Sequence, residues 1–479
     1  MPPSLSLCLT VPLLLAVSAD RTQAAIDRSQ KPAPGPAPAA AFPDYTTATL
    51  QNGLKVFVIE DDRKPAVTFR LIIKGGSLHD GEKPGLSDLV ASLLNRGTKS
   101  RDALTFAKES DFIGSRLEAS SGPDSLAVSA GGLTKYTGQI LDLLVDAVVN
   151  PVFPQDQFAR EQKKALSQLA AEKQQPSALA SKLAGRVVFG PHPYGAMTTE
   201  ASVLATTRED VITYHKNWFA PNNATLAVVG DVKAAEIMPL LEKAFAAWPQ
   251  HEVPVAKFSD PPAMNGVTIH LIDRPGSVQS NIVISQPGPP RSGPDTPELN
   301  VMNATLGGGF SGRLFQNLRE KHGWTYGASS AFDMRRYGGA FEATTETRND
   351  VTAPAITETL GEMRRLREEP VPGPELELQR QYNVGNYLLS LENAARTAQR
   401  VQDIELYGLP ADFYKRYAAR MAGVTPSQVQ SLAKSYLSLE NTAIVVVGEA
   451  KQIAPELEKL GKVVVYDTAL KPAPAPAAK

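Results

Sequence analysis

The chain reads as an α+β protein of two homologous domains, each a mostly antiparallel sheet covered by helices. Three observations carry this. A strand-rich opening gives way to a helix-rich middle, the pattern of a sheet with helices on its face. That order then returns: Val267–Asp273 echoes Leu54–Asp61, and Thr442–Glu449 echoes Thr225–Asp231. The offset from Gly230 to Gly448 is 218 residues, far too long for a solenoid period. Finally, 479 residues suffice for two domains with cores of their own.

Taken in order, residues 5–19 are apolar and too short to span a bilayer comfortably. Val17-Ser18-Ala19 supplies small residues for cleavage before Asp20, so residues 1–19 read as a secretory signal. Export implies a periplasmic or secreted protein. Cys8 is the single cysteine and lies inside this signal, so the mature chain makes no disulfides and tolerates an oxidising compartment. Residues 20–44 and 468–479 are Pro/Ala-rich and read as disordered spacers. No other segment is apolar enough for a membrane span. Lys+Arg 49 against Asp+Glu 50 gives a net charge of −1, so nothing points to nucleic acid.

The first domain spans 45–250. Residues 48–60 predict two strands joined by the Asn52-Gly53 turn. Alternation through Val67, Phe69, Leu71 and Ile73 predicts a strand over 66–74, and Leu86, Leu89, Val90, Leu93 and Leu94 predict a helix over 85–96. Helices follow over 140–149, 154–173 and 176–188, then a buried strand at 224–231 and a helix over 234–247. Residues 251–260 form a linker, and the second domain spans 261–467.

The second domain contains the most distinctive stretch, from Gly307-Gly308-Gly309-Phe310-Ser311 to Gly323-Trp324-Thr325-Tyr326. Three successive glycines favour a turn or open loop. Ser311 is a candidate N-cap for a helix over 312–321, Gly323 its stop, and 325–332 the following strand. Arg319 then leaves the last helical turn and Tyr326, seven residues on, heads the strand. Both side chains donate hydrogen bonds suited to a carbonyl oxygen. A plainer reading stands beside this one: a tight turn, a helix-end charge opposing the macrodipole and a half-buried strand tyrosine. The run is no phosphate loop, since no Gly-Lys-Ser/Thr ends it.

Gly-Gly-Gly-Phe-Ser-Gly-Arg-Leu-Phe-Gln-Asn-Leu-Arg-Glu-Lys-His-Gly-Trp-Thr-Tyr resembles the second-half signature of the pitrilysin/insulinase family of zinc peptidases. It is similar also to the non-catalytic subunit of the mitochondrial processing peptidase, which has a glycine-rich segment at the similar place. The resemblance implies that Arg319 and Tyr326 bind substrate opposite a zinc ion, with Gly307, Gly308, Gly309, Phe310 and Ser311 contributing to peptide binding. His192-Pro193-Tyr194-Gly195 and 217–224 resemble first-half landmarks of the same family.

Active members carry His-x-x-Glu-His in the first helix of the first domain. Its two histidines share a helix face toward zinc and its glutamate serves as base. The same context here is Gly85-Leu86-Ser87-Asp88-Leu89-Val90-Ala91-Ser92, which puts Asp88 and Ser92 at the histidine positions and Ala91 at the glutamate. Glu161 matches the earlier of two later glutamates, and Gln168 falls at the remaining ligand. A carboxylate, a hydroxyl and a neutral amide make a poor zinc site. The resemblance therefore implies a chain without its own metal, acting as the non-catalytic, substrate-binding subunit beside a zinc-bearing pitrilysin-like partner. Arg319 and Tyr326 would donate to the scissile carbonyl, and an extended peptide substrate would add to a sheet edge. The alternative is a catalytically silent scaffold that associates with itself as a homodimer.

Overall fold

The computed structural model describes residues 41–472. The signal and most of both Pro/Ala-rich stretches lie outside the described residues. The first sheet contains β1 (Thr46–Thr49), β2 (Lys55–Glu60), β3 (Ala66–Lys74), β4 (Glu118–Ser121), β5 (Ser125–Leu133) and β6 (Ala224–Gly230), in the order β1-β2-β6-β3-β5-β4. The second contains β7 (Val267–Asp273), β8 (Gln279–Gly288), β9 (Ala328–Asp333), β10 (Gly339–Arg348), β11 (Thr442–Gly448) and β12 (Val463–Tyr466), in the order β12-β7-β11-β8-β10-β9. Position for position the last five strands of each order correspond, so the sequence echo is a repeat of topology. Both sheets are mixed with antiparallel pairs in the majority; β2 with β6, β11 with β7 and β12 with β7 are the parallel ones.

Strand chemistry explains the layering. Central β6 and β11 are buried along their whole length, and their runs Thr-Leu-Ala-Val-Val and Ala-Ile-Val-Val-Val have no polar alternation. Such strands need cover on both faces. In the first half, the Leu86–Leu93 and Thr137–Val149 helices cover one face, packing Leu89, Val90, Leu93, Ile140 and Leu144 into the core. The other face is covered by a helix from the second half, Ala394–Tyr407, which crosses β3 and β6. The exchange is reciprocal. The first-half helix Pro176–Phe189 lies on β8 and β11, with Leu179, Ala180, Leu183 and Ala184 against Val283, Val445 and Val447.

Polar contacts fasten the first of these crossings. Gln402, fully buried, donates to the backbone carbonyls of Arg70 (2.8 Å) and Thr225 (2.9 Å) and accepts from the Arg70 guanidinium (2.6 Å). Glu405 takes Lys55 at 2.7 Å and Lys74 at 3.0 Å. A second junction forms around Asp124, whose carboxylate accepts from the Tyr194 hydroxyl, the Arg336 amide (3.0 Å) and the Tyr407 hydroxyl (3.3 Å).

The spacer expectation is corrected at both ends. Phe42 is buried and stacks on Tyr414 at 5.4 Å, and Asp44 pairs with Lys415 at 2.5 Å, so residues 42–44 are docked on the second half. Leu470 is likewise buried against the Pro176–Phe189 helix, and Pro472 bridges back to Tyr466. Side chains of that size have apolar surface to bury, which the neighbouring Pro/Ala repeats lack. Among the described residues, no helix is long and apolar enough to cross a membrane.

Candidate functional site

Two separate places answer to the candidate residues. The first is a cavity of about 320 Å³ beside the Leu86–Leu93 and Gln155–Glu172 helices, lined by Asp88, Ser92, Glu161, Gln168, Glu172 and Lys182 among others. Asp80 starts the first helix by accepting from the amides of Gly85 (2.8 Å) and Ser87 (2.9 Å), and burial pushes its carboxyl up to about 6. Within the cavity, Ser92 donates to the Leu89 carbonyl at 2.9 Å and Gln168 to Glu172 at 3.4 Å. Glu161, buried, is held by Arg96 at 3.1 Å and Lys164 at 3.5 Å, and Glu172 pairs with Lys182. Asp88 is an exposed residue of its helix whose carboxyl is raised from its ordinary value by desolvation first and then by Glu172.

These donors do not fit a zinc ion. Glu161 and Glu172 are paired with three cations of the chain itself, which leaves Asp88 as the one unpaired carboxylate among these donors, and the hydroxyl and amide bring no charge. Among the described residues, no group of three or more His, Cys, Asp or Glu is placed to hold a metal. A second cavity, about 360 Å³, shares Ser92 and Lys164 and runs along edge strand β4 past Phe106, Leu117 and Ala119.

The second place is the glycine loop. Gly307 gives its carbonyl to the Ser330 amide at 2.8 Å, so the loop closes on the outer edge of β9 at its midpoint. A Cβ on Gly307 would lie 2.7 Å from that amide, and one on Gly308 2.7 Å from the Ala304 Cα. These two glycines are demanded by close approach. Gly309 is different, since its Cβ would meet only the end of the Tyr382 side chain, at 3.2 Å.

Three expectations change here. Ser311 is not the N-cap. Gly312 takes that position with no side-chain bond, while Ser311 accepts from Gln379 at 3.1 Å. The following helix is α only over Arg313–Phe315 and π-wound over Gln316–Lys321, with the His322 amide on the Asn317 carbonyl. The strand begins at Ala328 instead of 325, because Thr325 ties a turn: its hydroxyl donates to the Gly327 carbonyl (2.8 Å) and accepts the Gly327 amide (3.0 Å). Thr345 donates to the same carbonyl at 3.0 Å. That turn presents Tyr326 outward, 90% exposed.

Arg319 is half-exposed, its guanidinium 4.8 Å over the Phe315 ring and its Nε 3.7 Å from Glu320. No hydrogen bond or cation–π contact joins Arg319 to Tyr326. Gly323 does stop the helix, at φ 64°. Phe310 is exposed and stands edge-on to Phe315 at 5.0 Å. Neither Arg319 nor Tyr326 lines the Asp88 cavity.

Comparison with known proteins decides the family. The model of the insulinase family (peptidase family M16) matches residues 55–198, and that of the peptidase M16 inactive domain matches 205–383. The chain belongs to the pitrilysin/insulinase, or M16, peptidase family. It is similar to a crystal structure of a peptidase M16 inactive domain from Pseudomonas fluorescens, with TM-score 0.79 and 26% identity, covering 85% of this chain and 98% of that one. A protease from Helicobacter pylori shares the fold at TM-score 0.80 and 19% identity, over 85% and 99% of the two chains. Among sequences, an uncharacterized zinc protease of Mycobacterium leprae is 28% identical over 65% of this chain and 72% of its own length. One from Rickettsia bellii is 24% identical over 75% and 86%. As an M16 protein this chain keeps the family's architecture, and its cavity presents Asp88, Ser92 and Gln168. Sequence reasoning missed Arg96, Lys164 and Lys182, which replace metal charge with ion pairs. Their only sequence trace is basic residues scattered along the flanking segments.

Proposed function

We propose that this M16 protein is the non-catalytic, substrate-binding subunit of a two-chain peptidase, working beside a partner that carries His-x-x-Glu-His and zinc. The observation that carries this reading is the state of its two donors. Tyr326 is held out in a threonine-tied turn and Arg319 stands half-exposed, and neither spends its hydrogen bonds inside the fold. A buried scaffold position would engage them. On this reading the chain holds no metal of its own, because Asp88, Ser92 and Gln168 replace the ligands and Arg96, Lys164 and Lys182 fill the charge.

The chemistry follows from the side chains. A guanidinium and a phenol that converge on a scissile carbonyl stabilise the negative charge that develops there, while the partner's zinc activates water. The glycine loop narrows the approach and Phe310 offers apolar contact to the peptide. Because Gly307 occupies the midpoint of the β9 edge, strand addition of the peptide belongs at another edge, such as β4 or an edge of the partner. The apolar run over residues 5–19 supports work outside the cytoplasm, with a mature chain starting near Asp20. The test is reconstitution: mixing the chain with an M16 protein that has an intact zinc motif should yield peptidase activity that neither shows alone. A stable homodimer that engages no such protein favours the self-associating scaffold.

A further inference from the structure

We infer that Phe315 is a positioning residue for Arg319: its ring face holds the guanidinium in the orientation that meets the peptide carbonyl. This rests on the substrate-binding role proposed for Arg319. A half-exposed arginine has several rotatable bonds and large rotamer freedom, so a lone Arg319 would sample many directions. Among the described residues its one carboxylate within 4 Å is Glu320, at 3.7 Å and next in sequence, which draws it along the helix surface. Against that pull stands the Phe315 ring, with the guanidinium carbon 4.8 Å from its centroid.

The ring itself is fixed. Phe315 is 6% exposed, between Leu314 and Leu318 at 1% each, and Phe310 leans on it edge-on at an interplanar angle of 73°. A neighbour crossed at that angle does not lie flat over the ring, so a face stays available to a cation. The stacking also falls where the helix widens into its π-wound turn, four residues separating ring and guanidinium. Phe315 therefore supplies an anchored aromatic face, and Arg319 reaches the substrate from it. Draining the charge of the ring face without removing the ring should weaken turnover through Arg319.

A fluorination series separates this from packing. Phe315 is replaced by 4-fluoro-, 3,5-difluoro- and 3,4,5-trifluorophenylalanine, which keep ring shape while draining the charge of its face, with Phe315→Leu as the non-aromatic control. Each full-length variant is mixed with the zinc-bearing partner and assayed for kcat and KM, beside Arg319→Ala. The stacking predicts a stepwise fall in kcat/KM reaching about two- to fivefold at trifluoro with the melting temperature of the fluorinated variants unchanged, and a similar or larger loss for Leu, whose melting temperature also falls because the buried ring is truncated. In the isolated chain, the Arg319 Nε proton should show an upfield ring-current shift that Phe315→Leu abolishes. A flat series beside an impaired Arg319→Ala overturns the positioning role and leaves the substrate-binding reading standing. An Arg319→Ala variant at the parent rate overturns that reading and the positioning role with it, even if the ring-current shift is seen.

Discussion

Gln402→Ala tests the exchange of helices that makes one body of two homologous halves. The side chain is fully buried, and its removal breaks three hydrogen bonds of 2.6–2.9 Å to the first sheet. One of them serves the Arg70 guanidinium, whose burial already holds its pKa below the usual arginine value. A lost hydrogen bond to a buried charge costs about 1.5–3 kcal/mol and each neutral one about 0.5–1.5. We take about 3 kcal/mol as the expected loss for the crossing. Hydrogen exchange followed by mass spectrometry on peptides covering Ala394–Tyr407 reads this directly. A loss of that size lowers protection about 10²-fold if the helix opens as a local unit. The control is Glu392→Ala, which removes the exposed Arg63 ion pair at 2.8 Å and should change protection by less than about twofold. Protection within twofold of the parent in Gln402→Ala would refute the claim that this crossing locks the halves.

Gly307→Ala and Gly308→Ala should each lower stability by about 1–3 kcal/mol, while Gly309→Ala is tolerated, as thermal melts of the three would show. Elemental analysis should find no stoichiometric zinc in the parent protein. The Asp88→His/Ser92→His/Gln168→Glu triple variant should take up zinc, since the two helices that would carry its ligands are already in place. Burial pushes both His215 and His79 down to about 4. Their stabilising contribution is present above about pH 6.5 and is lost as pH falls toward 4. Asp80, raised to about 6, works the opposite way, losing its contribution as pH rises from about 4 to 6, and offsets only part of this. The melting temperature should fall between pH 6.5 and 4, and less steeply in His215→Gln.

Much of this architecture is legible in residue periodicity. β3 and β7 fall where alternation and apolar runs place them, and the 218-residue echo becomes two sheets of matching order. The exchange of helices is not legible. Leu179, Ala180, Leu183 and Ala184 announce a buried face, but an apolar stripe does not say whose sheet it covers. The π-wound turn is equally silent, because nothing in the residues of Gln316–Lys321 separates a π from an α turn, and the bonds of Asn317 reach Glu358 and Glu362, 41 and 45 residues away. At the site, the sequence puts Asp88, Ala91, Ser92 and Gln168 where the family resemblance expects metal donors and base, and the structure sets Asp88, Ser92 and Gln168 around one cavity. What fills their place is a matter of long side chains reaching across helices. The outward presentation of Tyr326 depends on Thr325 and Thr345, twenty residues apart, which only the strand register brings to one carbonyl.

The role proposed for Arg319 and Tyr326 is to act on substrate in a shared active site. It is tested most directly by the turnover of the reconstituted two-chain enzyme carrying Tyr326→Phe, Arg319→Ala or both. Tyr326 is too exposed, and Arg319 too far out of the core, for either change to disturb folding. The claim predicts single-variant turnover reduced by on the order of 10²–10³ at unchanged melting temperature and unchanged association. A stable, partner-bound double variant that cleaves peptide at the parent rate would contradict it.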